Sequence, residues 1–434
     1  MRPARSARAR GRRLGLLASI AAALSACGAE APASRNLLLV SVDTLRADRL
    51  GAWGYERPSS PNLDALARES VVFEDARAPS SWTLPSLASL MTGFEVSTHR
   101  CWNFASRLDG SFTTLAEILG EAGFDTAWIG SHTFLAEKYG LQQGFADYDA
   151  ELIDPVTIES HEAITSPRIT DKAIAWLDGR AGVADRWFLW AHYFDPHERY
   201  LEHEGVSERF GTETKSDLYV GEIAFTDAAI GRLLDHLRES GLSPETLVVF
   251  TADHGEEFGE HGLTGHGFHL YREVVHVPLA LRAAGFPARR VETLVGLVDV
   301  LPTVLELLGV PAPDGLAGRS LVPAMRGQHL PPRPVLQELR LFADVDSIEA
   351  DGWKLVRRRK AGVLRLFDRS QDPGERRNLA SARPEVRERL EALLDAAQEA
   401  AVARGRTFDE PEPVTLSAEE EQALRNLGYL DAPP

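Results

Sequence analysis

The sequence predicts an α/β fold, a doubly wound mixed sheet flanked by helices, with a smaller C-terminal α+β subdomain. Three observations carry this. Apolar runs of strand length recur from Asn36 to Thr251, and helical patterns separate them. The first run, Asn36 to Asp43, is almost continuously apolar and ends in a carboxylate, as a buried parallel strand delivers a residue to its C-terminal edge. After Pro311 the texture changes to hairpin strands and one long amphipathic helix.

In chain order, residues 1–26 read as an export signal. Arg2, Arg5, Arg8, Arg10, Arg12 and Arg13, with no acid among them, precede the apolar run Leu14 to Leu24, which is too short to span a bilayer. The run closes in Leu24-Ser25-Ala26-Cys27, which resembles the bacterial lipoprotein box: small residues admit the peptidase and Cys27 becomes the lipid-bearing N-terminus. An ordinary cleavage site with an incidental cysteine is the alternative. Residues 27–34 follow as a tether, and a catalytic domain is expected over 35–312. Its strands are expected at Asn36 to Asp43, Phe124 to Ile129, Trp187 to Phe194 and Thr246 to Thr251. Its helices are expected at Pro61 to Glu69, Pro85 to Met91, Phe112 to Ala122, Ile169 to Leu177, Tyr219 to Glu239 and Val298 to Leu308. In the subdomain, 313–434, strands at Trp353 to Val356 and Val363 to Phe367 flank a basic turn, Arg357 to Lys360, and a helix covers Pro384 to Ala401. The acidic stretch Ala418 to Glu421 is expected to be a solvated helix start after Ser417.

With 434 residues, 44% of them hydrophobic and 26% charged, disordered, collagen-like and disulfide-stapled classes are excluded. Cys27 and Cys101 are the two cysteines, and no structural disulfide is expected. The formal charge is −17, and loss of residues 1–26 removes six arginines and no acid, leaving −23. So acidic a chain is a poor partner for nucleic acid or an anionic membrane surface, and the lipid anchor is the one membrane link expected. An anionic substrate needs a local positive site made by metal, helix N-termini and a few cations.

Five of the 13 histidines fall between His254 and His276. Asp253 and His254 leave the end of a strand straight into a Gly-rich loop, and adjacent carboxylate and imidazole there suit a metal facing a cleft. Asp43 ends the first strand in the same way. Asp and His also cap turns, so this triplet alone leaves a structural role open.

Taken together, several segments resemble the sulfatase family of the alkaline phosphatase superfamily. They are Asn36 to Arg46 with Asp48 and Gly51, Pro61 to Asp64, Thr83-Leu84-Pro85-Ser86 running to Gly93, Phe194-Asp195-Pro196-His197, Thr251 to Glu256, and Gly265-His266-Gly267. Gly352 to Leu355, Leu366 to Asp368, Asp372 to Glu375 and Asn378-Leu379 resemble its smaller subdomain. The resemblance implies an alkaline phosphatase-like fold and a metal-dependent hydrolase of sulfate or phosphate esters, acting on a small molecule or a glycan. It implies one divalent ion on Asp43, Asp253 and His254. Two carboxylates suit calcium, and the imidazole suits zinc or manganese.

The family's nucleophile is a formylglycine made from Cys, or sometimes Ser, in C/S-x-P-S-R. Here Thr83 holds that position and Leu87 that of the Arg. Thr cannot become the aldehyde, whose second hydroxyl expels sulfate. An unmodified Thr suits phosphoryl transfer, because water can open a phospho-enzyme. Pro85 places Thr83 at a helix N-cap, where the helix dipole favours an anion; a cap with no chemistry is the bland alternative. The family's sulfate-contacting Lys and His align with Ser131 and Thr133, and Thr44 replaces the second of two paired aspartates. The cradle is thus expected to have lost cations while keeping His197 and His266, with His197 a candidate proton donor. Arg46 and Asp48 are expected to pair, and His261, His269 and His276 to be second-layer or surface residues. A phosphoethanolamine-type transferase and a non-catalytic glycan-binding relative are the competing functions.

Overall fold

The computed structural model of the chain describes residues 34–153 and 164–426. The expected signal, nearly all of the tether and Cys27 lie outside the described residues. Cys101 is a buried free thiol.

The centre of the molecule is β1 (Asn36–Val42), buried along its whole length and paired in parallel with β5 (Arg186–Tyr193) on one side and β6 (Thr246–Ala252) on the other. A strand covered on both faces has no solvent side, which is why NLLLVSV shows no alternation. Beyond β5 lie β3 (Phe124–Gly130) and β4 (Asp147–Asp149), both parallel. Beyond β6, β9 (His276–Arg282) runs antiparallel to it and to β2 (Val71–Arg77), and β10 (Arg289–Val291) and β11 (Val295–Gly296) pair with β2 in parallel. The result is a nine-stranded mixed sheet in the order β10-β2-β9-β6-β1-β5-β3-β4, with β11 also on β2. A small ribbon, β7 (Glu257–Phe258) and β8 (Thr264–Gly265), stands beside it.

The helices form two groups. In one, α1 (Pro61–Arg68) and α4 (Ser166–Asp178) both pack on α5 (Lys215–Glu239); in the other, α2 (Thr83–Thr92) packs on α3 (Leu115–Glu121) and α6 (Val300–Leu308). Caps set the starts that periodicity misplaces. Thr114 and Glu117 form a capping box, so α3 begins at Leu115 and not Phe112, and Thr214 accepts the Asp217 N–H, so α5 begins four residues before Tyr219.

Four antiparallel strands, β12 (Val335–Arg340), β13 (Asp344–Ala350), β14 (Trp353–Arg358) and β15 (Val363–Asp368), make a second sheet. Helix α7 (Pro384–Gly405) covers it, setting Leu390 and Leu394 on Ile348, Leu355 and Leu366. The basic segment is mostly strand: β14 runs to Arg358, and Arg357 reaches Asp395 on α7 at 2.6 Å. Strands β2, β12 and β13 escape sequence reading because acids interrupt them. Those acids are paired: Arg77 Nε lies 2.9 Å from Glu349, Arg369 Nε 3.0 Å from the same carboxylate, and Asp75 accepts from both arginines. The last element of the described residues is α8 (Ala418–Asn426); Ser417 Oγ accepts the Glu420 N–H, while Glu420 itself pairs with Lys138 instead of standing in solvent. His276 is not on the surface: it begins β9, is buried, and meets the Glu74 carbonyl at 2.8 Å, burial holding its ring down at about 3. Among the described residues no helix is long and apolar enough to cross a membrane.

Candidate active site

Four adjacent parallel strands end at one edge, and the residues that follow them meet there. Val42 pairs with Ala252, so Asp43 and Asp253 leave β1 and β6 side by side. Both are fully buried. Asp253 Oδ1 accepts the N–H groups of Thr44 at 3.1 Å and His254 at 2.8 Å, while its Oδ2 and both oxygens of Asp43 accept no hydrogen bond. The turn carrying them requires Gly255, where a Cβ would lie 2.1 Å from the Glu273 carbonyl oxygen. His254 Nδ1 lies 2.9 Å from the Gly255 carbonyl and donates to it, which leaves a lone pair on Nε2. That Nε2 lies 3.6 Å from Asp43 Oδ1 and 3.4 Å from Asp253 Oδ2. Three acceptor groups thus converge with no hydrogen-bond donor between them. Burial, with the carboxylates of Asp253 and Glu256, pushes the Asp43 carboxyl well above its usual range, and burial holds His254 down. A divalent cation fits this donor set, and the His254 Nδ1–H backed by a carbonyl is the outer-layer contact of metal-binding imidazoles.

Thr83 is the first residue of α2 and fully buried. The N-cap position belongs to Trp82 and no side chain caps the helix, so the expected Thr83 cap is corrected. Its hydroxyl points elsewhere: Oγ1 lies 3.2 Å from His254 Nε2 and 3.4 Å from His132 Nε2. Leu87, at the family's Arg position, is buried within the same helix.

His132 is the residue that sequence reading missed. The alignment drew attention to Ser131 and Thr133 as lost cations, yet Ser131 donates to Thr165 Oγ1 at 3.0 Å and it is His132 that reaches Asp43 Oδ2, at 3.1 Å. The signal was available, because His132 lies just past the end of β3 as Asp43 lies past β1. Gly130 is needed there: a Cβ would lie 2.6 Å from Trp128 and 3.2 Å from the His192 side chain. His192, also missed, points into the sheet end from β5, with Nε2 4.0 Å from Asp43 Oδ2 and burial holding its ring at about 4.

His197 and His266 stand together, ring centroids 5.0 Å apart. His197 stacks on Phe194 and lies 6.0 Å from the His132 ring. His266 lies 4.6 Å from the His254 ring, and its Nδ1 meets Glu256 Oε1 at 3.0 Å, while Tyr200 donates to Glu256 Oε2 at 3.0 Å. Its buried Nε2 has no hydrogen-bond partner among the described residues. Burial opposes a charge on His266, but the Glu256 carboxylate outweighs it and pushes the ring above its ordinary value.

Other candidates serve the frame. Asp195 accepts the Thr165 and Ser166 N–H groups at the start of α4. Thr44 adopts a φ of 54° and donates from Oγ1 to the Pro196 carbonyl. Arg46 binds Asp48 through Nε and Nη2, as expected, and Glu260 through Nη1. His261 and His269 meet Glu273 and Glu257 instead of the cleft.

The sulfatase family model matches residues 35–310, and that of the N-sulphoglucosamine sulphohydrolase C-terminal region matches residues 259–400. Arylsulfatase K of Bos taurus is 24% identical over 440 residues, covering 84% of this chain and 81% of that protein. The solved phosphonate monoester hydrolase of Agrobacterium radiobacter superposes with a TM-score of 0.73 at 22% identity, covering 85% of this chain and 96% of that one. A structure solved in complex with its substrate D-glucosamine-2-N,6-O-disulfate gives 0.72 at 19% identity, covering 85% and 98%.

Proposed function

The chain belongs to the sulfatase family, with its alkaline phosphatase-like fold and sulfuric or phosphoric ester hydrolysis, and on that premise we propose that Thr83 is an unmodified nucleophile working beside one divalent ion. The observation that carries the reading is the Thr83 hydroxyl lying 3.2 Å from His254 Nε2, at the edge of the converging acceptors Asp43, Asp253 and His254. Those three residues would hold the ion, calcium by their carboxylates or zinc or manganese by the imidazole. Bound there, it would supply the positive charge that lowers the hydroxyl pKa of Thr83 and draws on the ester's oxygens.

Thr83 Oγ1, its proton released to solvent under that charge, attacks phosphorus; the Thr83 O–P bond forms and the leaving-group P–O bond breaks. The leaving oxygen takes a proton from His266, whose Nε2 has no partner among the described residues and whose Nδ1 is held by Glu256; His197 lies across from it as the second proton-handling group. Water then attacks phospho-Thr83 and gives its proton to His266 as the Thr83 O–P bond breaks, and Thr83 leaves as the alkoxide that the next turnover uses. The helix α2 dipole favours the anion at that end. Thr83 is flanked by imidazoles and carboxylates, and the Arg46 guanidinium is committed to Asp48 and Glu260. That balance suits a singly charged diester better than a free dianion.

Purified protein assayed on aryl phosphate, aryl phosphodiester and aryl sulfate tests the reading. Phosphorus esters should turn over faster than the sulfate, and Thr83→Ala should abolish turnover with the fold intact. Brisk sulfate hydrolysis with poor phosphate hydrolysis would overturn the reading. Transfer of the phosphoryl group to an added alcohol in place of water would assign the transferase alternative, and no turnover on any of the three esters would assign the non-catalytic glycan-binding one. Further parts of the proposal are export by residues 1–26, acylation of Cys27, the tether 27–34 and a unit boundary near 312, with a small molecule or glycan ester as substrate.

A further inference from the structure

We infer that His132 is a further catalytic residue, a fixed hydrogen-bond donor to the Thr83 oxygen; this rests on Thr83 being the nucleophile. His132 Nδ1 accepts the backbone N–H of Phe134 at 3.0 Å, and a ring nitrogen that accepts carries no hydrogen, so the ring hydrogen is on Nε2. That Nε2 faces Thr83 Oγ1 at 3.4 Å and Asp43 Oδ2 at 3.1 Å, both acceptors. His254, whose Nδ1 donates to the Gly255 carbonyl, is the opposite tautomer, with its Nε2 lone pair 3.2 Å from Thr83 Oγ1. Thr83 therefore sits between one donor and one acceptor. Its own hydrogen points toward the His254 side; an ion on the His254 lone pair would displace that hydrogen, and the His132 donor remains aimed at the negative oxygen left behind. His132 gives up no proton. It lowers the energy of the alkoxide, and of Thr83 as a leaving group when water opens the intermediate, as a preorganised donor does at an oxyanion.

The tautomer also argues against His132 as a metal ligand, although with Asp43 and His197 it has the spacing for one. A ring nitrogen that bears hydrogen offers no lone pair. The ring is held in place rather than mobile: it is 3% exposed, begins the single 3-10 turn Thr133–Leu135, and lies between the rings of Phe134 at 5.5 Å and Phe194 at 5.3 Å.

Four proteins test this: wild type, His132→Ala, His132→Gln and Thr83→Ala, each assayed on bis-para-nitrophenyl phosphate with metal content measured alongside. Gln places an amide N–H near the position of the imidazole Nε2. His132→Ala should lower kcat about a hundredfold, the loss typical of one removed oxyanion donor, with KM changed less than about threefold and metal content unchanged. His132→Gln should regain about tenfold of that. Nitrogen NMR of wild type should show the His132 hydrogen on Nε2, a readout independent of whether the variants fold. The inference is overturned by a hydrogen on Nδ1, by kcat in His132→Ala within about threefold of wild type, by metal loss in that variant, or by Gln doing no better than Ala. In those cases an inactive Thr83→Ala leaves the nucleophile reading standing. An active Thr83→Ala removes both.

Discussion

Asp43 has two buried oxygens that accept no hydrogen bond, beside Asp253 Oδ2 in the same condition. Its carboxyl is raised above the ordinary 3.8 by burial and by two neighbouring carboxylates, so the folded chain without a cation holds a proton that the unfolded chain releases. The contribution to stability is then largest below about pH 3.8 and declines as pH rises through the raised value. A bound cation displaces that proton, so the gap in melting temperature between metal-loaded and chelated protein should widen from pH 5 to pH 8, roughly following the proton released. A gap that narrows over this range would place the ion elsewhere. Asp253→Asn should lose most of the metal, read by elemental analysis, together with activity. Thr83→Cys should not restore sulfatase activity even in a host that makes formylglycine, because Leu87 stands where the partner Arg would be.

At the scale of elements, strand ends do the positioning and helix and strand interiors hide polar groups that must stay uncharged. His99, at the end of the short helical turn Val96–His99, meets Ser89 Oγ of α2 through Nε2 at 2.9 Å and accepts the Cys101 N–H at Nδ1; burial lowers it to about 3. His276 on β9 is lowered to about 3 as well, by burial and then by Arg77 and Arg272. Both rings protonate in the unfolded chain near 6.5 and in the folded one only near 3. Stability is therefore full above about pH 6.5 and should fall as pH drops toward 3. At about 1.4 kcal/mol per pH unit for each group, roughly 2 kcal/mol apiece is gone by pH 5. Denaturant midpoints at pH 7 and pH 5 check it, and His99→Gln should remove part of the difference.

Over the whole molecule, the second sheet is joined to the first through charge as well as apolar contact. Arg77 on β2 is 1% exposed and Glu349 on β13 is fully buried; Arg369 and Lys354 complete the cluster, Lys354 also reaching Glu375 at 3.1 Å. Burial opposes the charge on Glu349, but Arg369, Arg77 and Lys354 hold its carboxyl well below its usual range. Glu349→Gln should destabilise by about 3–5 kcal/mol, the loss expected when buried cations are left without their anion, measured by urea unfolding. Arg77→Met combined with Glu349→Leu should be milder than Glu349→Gln, since Arg77 is not left beside a neutral Glu349 position and Arg369 and Lys354 keep Asp75 and Glu375. Export belongs to this scale too: Cys27→Ser should release the protein from the membrane fraction and abolish fatty-acid labelling, and retention of both would remove the anchor.

The order of elements and most of the site were legible along the chain, for reasons tied to particular residues. Asn36 to Asp43 must be a buried strand because it is apolar on both faces, and Asp253-His254 before Gly255 could be read as a strand end turning into a cleft. What could not be read was anything dependent on a partner distant in sequence. Strands β2 and β13 look too acidic to be buried until Arg77, Arg369 and Lys354 meet Asp75 and Glu349, and β12 until Ser97 is brought to Glu338. His132 looks like a spacer between two replaced residues until β3 sets it beside Asp43 and Thr83, 89 and 49 residues away in sequence. Thr83 looks like a cap until the helix start turns its hydroxyl toward His254. Local pattern determines which backbone hydrogen bonds form, but a buried charge or a ring tautomer is decided by the groups that folding packs against it, and only the tertiary structure names them.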